Sequence, residues 1–192
     1  MKKVFIDGSA GTTGLRIFDR LHRRTDIQLL TLPESERKLE ASRKKVLNEA
    51  DVVFLCLPDD AACEAALWVE NPDTVVLDTS TAHRTAPGWC YGFPELSPVQ
   101  EARLRQAKRI AVPGCHASGF IALVYPLVSA GLLTPDALLS CYSLTGYSGG
   151  GKKMIAEYRA PERSPLLNAP RQYALGQTHK HLKEMKAVTG LA

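Results

Sequence analysis

The run Pro113-Gly114-Cys115-His116-Ala117-Ser118-Gly119 places a thiol after a strand pattern and at the start of a helix. Unpaired N–H groups and aligned peptide dipoles favour an anion at a helix start, so Cys115 is positioned to act as a thiolate nucleophile. The same N–H groups can hold an oxyanion forming on a substrate carbonyl. The competing role is a buried structural thiol, which we assign to Cys56, Cys63 and Cys141; composition alone does not choose for Cys115.

A proton partner is available late in the chain, in Thr178-His179-Lys180-His181-Leu182-Lys183-Glu184. On a helix, His181 and Glu184 stand at i and i+3 and can touch. A carboxylate beside an imidazole raises its pKa and fixes its orientation, which suits a general acid or base. His179 and His181 lack a third ligand with metal-site spacing, so no metal is expected. A surface pair without a role is the other reading.

Gly8, Ser9, Ala10, Gly11, Thr12, Thr13 and Gly14 follow the first apolar run and open a helix pattern. Glycines let a pyrophosphate approach the backbone, and free N–H groups at the helix start receive its charge. The spacing G-x-x-G-x-x-G is a variant of the usual fingerprint, so its position after a first strand carries most of the argument. After the second strand, Ser35, Arg37 and Lys38 suit a 2′-phosphate and favour NADP, although the two cations equally suit a solvated helix start. In Asp78-Thr79-Ser80-Thr81-Ala82-His83-Arg84, the Arg84 guanidinium offers a planar fork for a phosphate or carboxylate.

These groups need a frame, and the chain supplies one. Apolar runs at residues 2–6, 27–32, 52–57 and 74–77 alternate with helix patterns, a βαβ rhythm that predicts a doubly wound parallel sheet. Right-handed crossovers put the loops after the strands on one edge. Beyond Asp78 the rhythm loosens. A helix is expected over 99–106, a strand over 109–112, an apolar helix over 120–133 interrupted by Pro126, a strand over 138–144, a glycine-rich loop over 146–151 and a helix over 178–189. Net charge is +4 over 192 residues with acids and bases interspersed, too mild a balance for a nucleic-acid partner. Five cysteines without C-x-x-C spacing argue against a zinc site or a disulfide framework and suit a reducing cytoplasm. No apolar run is long enough for a signal peptide or a membrane span.

Taken in order, six segments resemble the N-acetyl-gamma-glutamyl-phosphate reductase family, in its shorter bacterial type. They are the loop from Gly8 to Gly14, residues 77–84, Tyr91-Gly92-Phe93-Pro94-Glu95-Leu96, Pro113-Gly114-Cys115, residues 146–153 and His179-Lys180-His181. Aspartate-semialdehyde dehydrogenases share the architecture, but residues 91–96 and 113–115 look less like that relative. The resemblance implies an NADP-binding Rossmann-type domain over 1–114. It also implies an α+β catalytic domain of the glyceraldehyde-phosphate-dehydrogenase-like type over 115–192, incomplete because family members continue beyond the length of this chain. It further implies that Cys115 forms a thioester with the substrate's acyl group and that NADPH delivers hydride to it. His181 is then the acid/base, Glu184 tunes it, His179 lines the site, Arg84 holds the leaving phosphate, and Ser148 and Gly149 approach the cofactor. A homo-oligomer is implied for a complete catalytic domain. Two alternatives stay open: a nucleotide-binding protein without turnover, and the same chemistry on an amino-adipyl or aspartyl phosphate.

Overall fold

The computed structural model describes residues 1–192. Its centre is a sheet of six strands: β1 (Lys2–Asp7), β2 (Ile27–Leu30), β3 (Val52–Leu55), β4 (Val75–Asp78), β5 (Cys90–Tyr91) and β6 (Arg109–Ala111). Their order is β2-β1-β3-β4-β6-β5 and every pairing is parallel. Val4, Phe5 and Ile6 in β1 are all buried, as consecutive residues of a strand covered on both faces must be.

Helices α1 (Thr12–Leu21), α2 (Glu40–Glu49), α3 (Asp59–Leu67) and α4 (Pro98–Gln106) connect β1 to β2, β2 to β3, β3 to β4 and β5 to β6, while a loop joins β4 to β5. Asp59 and Asp60 occupy the first turn of α3, where carboxylates complement the helix dipole. Ser97 caps α4, its side chain accepting from Gln100 N at 3.1 Å, and Pro98 occupies the first helical position. Phe5, Leu47, Ala50, Val53, Leu55, Ala65, Val69 and Val76 form the core between the sheet and its helices.

After β6 the chain turns into α5 (Cys115–Ser129), then α6 (Gly151–Arg159) and α7 (His181–Thr189). Helix α7 packs on α5. No helix is long and apolar enough to cross a membrane. Helix α5 begins at Cys115, five residues before its apolar pattern becomes continuous, and it accommodates Pro126 without breaking. The strand expected over 138–144 does not form. This segment pairs with no strand, and Leu138, Tyr142 and Leu144 are exposed. A strand-like composition describes fit to a pleated, half-buried surface, and here no neighbouring strand provides one. Conversely, β5 was not expected, since two residues are too few to carry a period-two pattern.

Candidate active site

Because the strands run parallel, Asp7, Leu55, Asp78 and Ala111 bring the loops that follow β1, β3, β4 and β6 to one edge of the sheet. The chain order reverses at β1, which lies between β2 and β3, the switch point where ligands enter such sheets. The glycine loop occupies this point. Gly8 has φ +85°, and a Cβ there would strike the Cys56 carbonyl group. A Cβ on Gly14 would strike the Gly8 carbonyl oxygen and approach Ser9 Cα to 2.8 Å. Both glycines therefore let the loop fold against its neighbours, and Gly11 N-caps α1 with no side chain over the helix start. That leaves the first-turn N–H groups of α1 open to an anion.

A cavity of about 930 Å³ opens beside the loop, lined by Gly8, Ser9 and Ala10 together with Glu34, Arg37 and Lys38. A second, of about 410 Å³, is bounded by Gly11, Thr12, Thr13 and Lys152 of α6. Backbone donors, a helix start, apolar walls and cations are the elements a phosphorylated dinucleotide needs, so the residues fit NADP or NAD. Ser35 lines neither cavity, nor do the exposed Ser148 and Gly149. Lys152 makes the approach to the glycine loop instead.

The next strand ends carry a tightly tied loop. Buried Asp78 accepts from Ser80 N at 2.9 Å through Oδ1 and from Ser80 Oγ at 2.6 Å through Oδ2, and His83 Nδ1 lies 2.6 Å from that same Oδ2. His83 stacks on Trp89, and Thr81 is held by Asp59 through its N–H and hydroxyl. This loop fixes where Arg84 emerges. The guanidinium donates to Val112 O at 2.9 Å, to Thr79 O at 3.2 Å and to Glu184 Oε2 at 2.9 Å, with its side chain 8% exposed. Arg84 is thus committed to Glu184 and two carbonyl groups rather than standing free as the fork read from the sequence.

Glu184 is the hub of this network. Its 2% exposed carboxylate also accepts from Tyr91 Oη at 2.6 Å and from Gly114 N at 2.8 Å. It thereby joins α7, the end of β5 and the start of α5. Burial and the adjacent carboxylate push the Tyr91 hydroxyl's pKa up, so it remains a donor. Glu184 makes no hydrogen bond to His181, and the expected upward tuning of the imidazole is reversed. Burial first, then the Arg84 charge, pushes His181 down to about 4 from 6.5, and Glu184 only partly opposes them. His181 is neutral near pH 7, buried, and its Nδ1 has no partner.

The nucleophile candidate adjoins this network through Gly114. Cys115 is the first residue of α5 and is exposed. A Cβ on Gly114 would strike His181 Nε2 and come within 2.5 Å of Arg84 Nη1 and 2.6 Å of His181 Cε1. Glycine at 114 thus lets the imidazole edge lie against the backbone that carries the thiol. Two further imidazoles adjoin it: the ring centroid of His181 lies 4.5 Å from that of His179 and 6.0 Å from that of His116. His116 Nδ1 is 2.7 Å from Ser143 Oγ, and Tyr173 packs against His116 and His179. Burial also lowers the pKa of His179. Sequence reasoning gave no role to His116 or Tyr91, and it offered Lys152 by charge alone as a grip for the substrate's polar ends, whereas the fold sets it beside the glycine loop.

Of the three thiols read as buried, Cys63 and Cys141 are exposed, and Cys90 is buried instead. Cys56 lies under the glycine loop, where burial pushes its thiol up to about 11.

A doubly wound sheet with a glycine loop at its switch point and a cysteine opening a later helix on the same edge defines a dinucleotide-binding fold with a thiol site. Sequence and structural comparisons agree with that class. The model of the semialdehyde dehydrogenase NAD-binding domain matches residues 3–104, and that of the semialdehyde dehydrogenase dimerisation domain matches residues 115–192. The chain belongs to the semialdehyde dehydrogenase family. It is 48% identical over 191 residues to N-acetyl-gamma-glutamyl-phosphate reductase 2 of Pseudomonas putida, covering 98% of this chain and 60% of the relative. It is 49% identical over 195 residues to N-acetyl-gamma-glutamyl-phosphate reductase of Chelativorans sp., covering 99% and 61%. The chain thus spans about three-fifths of the length of these curated relatives. Among solved structures, aspartate semialdehyde dehydrogenase II of Vibrio cholerae, complexed with ASA, superposes with a TM-score of 0.67 at 16% identity, covering all of this chain and 67% of that one. At that identity the likeness is one of fold.

Proposed function

We propose that this protein is an NADPH-dependent reductase of N-acetyl-gamma-glutamyl phosphate, forming N-acetylglutamate semialdehyde and phosphate in arginine biosynthesis. The observation that carries this reading is the placement of exposed Cys115 at the start of α5, with His181 against the adjoining Gly114, on the sheet edge that bears the glycine loop. The names of relatives near half identity support the substrate.

In this reading the Cys115 sulfur attacks the acyl carbon, the carbon–oxygen bond to phosphate breaks, and a thioester forms as phosphate leaves. The N–H groups opening α5 face the oxyanion that develops on the acyl oxygen. His181, neutral near pH 7, accepts the thiol proton during attack and returns it when the carbon–sulfur bond breaks. His179 lines the approach. Glu184 is a positioning residue: it fixes the Gly114 N–H and Arg84, and through them the relation of α5 to α7. NADPH, when bound, supplies the hydride that reduces the thioester carbon. The glycine loop and the start of α1 would hold its pyrophosphate, and Arg37 and Lys38 would be available to the 2′-phosphate, with Lys152 lining the cavity beside the loop. Residues 115–192 supply the contact with a second copy, in keeping with the dimerisation-domain match and the exposed Leu138, Tyr142 and Leu144. A reducing cytoplasm suits five unpaired thiols.

The reverse reaction tests the proposal. N-acetylglutamate semialdehyde, phosphate and NADP⁺ are mixed with the chain, and NADPH formation is followed by absorbance. Phosphate-dependent NADPH formation that disappears in Cys115→Ala is expected. No formation by the unmodified chain, or equal formation by the variant, refutes it.

A further inference from the structure

Asp7 closes β1 immediately before Gly8, only 4% exposed, and lines the larger cavity. A bare carboxylate there would repel a phosphate seated among the charged residues that share this cavity, Arg37 and Lys38. It is not bare: Arg43 reaches from α2 and donates to Asp7 Oδ2 through Nε at 3.2 Å and Nη2 at 2.8 Å. The Arg43 guanidinium is itself fixed, 4.7 Å from the centroid of the Trp68 ring, and its side chain is 13% exposed. Arg43 also lines the cavity, with Arg37, Lys38 and Glu34 completing its charged lining. The cavity therefore presents three cations against two carboxylates, and Arg43 accounts for that excess.

We infer that Arg43 is a specificity-determining residue, admitting a 2′-phosphorylated adenosine ribose by neutralising the buried Asp7 carboxylate that lines the cavity. This rests on the reading of the cavity as the NADP site. Without Arg43, Asp7 faces the cavity unpaired and in low dielectric, where its charge acts on an incoming anion with little screening. A nucleotide with an unmodified ribose carries no charge at that position and is far less affected.

Titration calorimetry with adenosine 2′,5′-bisphosphate and adenosine 5′-monophosphate tests this without turnover. The unmodified chain is expected to prefer the bisphosphate. Arg43→Gln weakens bisphosphate binding about tenfold, the scale of one poorly screened charge pair, while the monophosphate shifts less than about twofold. Adding Asp7→Asn to Arg43→Gln removes the exposed carboxylate and restores most of the preference. The double variant has no unpaired buried charge, so it remains informative if Arg43→Gln does not fold. An unchanged preference in Arg43→Gln overturns the inference and leaves the cofactor reading intact. So does a double variant with as little preference as Arg43→Gln, or one lacking preference when the single variant does not fold. Failure of the folded, unmodified chain to bind either nucleotide overturns the cofactor reading as well.

Discussion

Replacing Glu184 by Gln should destabilise the fold by about 3 kcal/mol, at the lower end of the ~3–5 kcal/mol for removing one partner of a buried ion pair. The geometry sets that figure. Arg84 and Glu184 are 8% and 2% exposed, so solvent offers the abandoned guanidinium little compensation. A glutamine oxygen can still accept from Tyr91 Oη and Gly114 N, which Glu184 Oε1 serves at 2.6 and 2.8 Å. The amide nitrogen then replaces Oε2 and turns a donor toward Arg84 Nη1, 2.9 Å away. In a domain of this size the loss lowers Tm by roughly 6–12 °C. Urea unfolding at pH 7, followed by far-ultraviolet circular dichroism, measures it. Arg84→Met in the same background removes the stranded charge, so the double variant should lose at least about 1.5 kcal/mol less than the sum of the singles. A Glu184→Gln loss below about 1 kcal/mol, or strict additivity of the pair, would refute the hub role.

His181 has a depressed folded-state pKa, about 4 against 6.5, so the unfolded chain binds its proton first as pH falls. The stability associated with the neutral buried ring is complete above about pH 6.5 and is lost progressively toward pH 4, by on the order of 3 kcal/mol; urea midpoints across that window should show the loss, and His181→Gln should flatten it. Gly114→Ala forces a methyl group into His181 and Arg84, both anchored, and should cost about 1–3 kcal/mol in the same unfolding assay, with a fall in any Cys115-dependent rate. Gly8→Ala meets both a positive φ and the Cys56 carbonyl, so nucleotide affinity by calorimetry should fall at least about tenfold; unchanged affinity would contradict the close approach drawn for the loop.

The sheet was legible because its strands are buried on both faces. Val4-Phe5-Ile6 and Val52-Val53-Phe54-Leu55 advertise themselves as continuous apolar runs, and parallel order follows from the helices between them. The glycine loop and Cys115 were legible from their position after a strand and before a helix. What a residue faces was not. Glu184 and His181 are three apart on α7, yet the carboxylate turns to Arg84, Tyr91 and Gly114, partners up to a hundred residues away. Arg43 is one cation in the run Arg43-Lys44-Lys45, and only the sheet shows that it alone meets Asp7. Residues 138–144 carry a strand's composition, but a ladder requires a neighbour that local composition cannot supply.

The central claim, that Cys115 carries the acyl group, is tested most directly by intact-protein mass spectrometry of the chain mixed with N-acetyl-gamma-glutamyl phosphate without NADPH. The account predicts a mass gain of one acyl group, mapped to Cys115 by peptide digestion, absent in Cys115→Ser and discharged when NADPH is added. Acylation of a different residue, or NADPH oxidation with an acyl phosphate while Cys115 remains free, would contradict it.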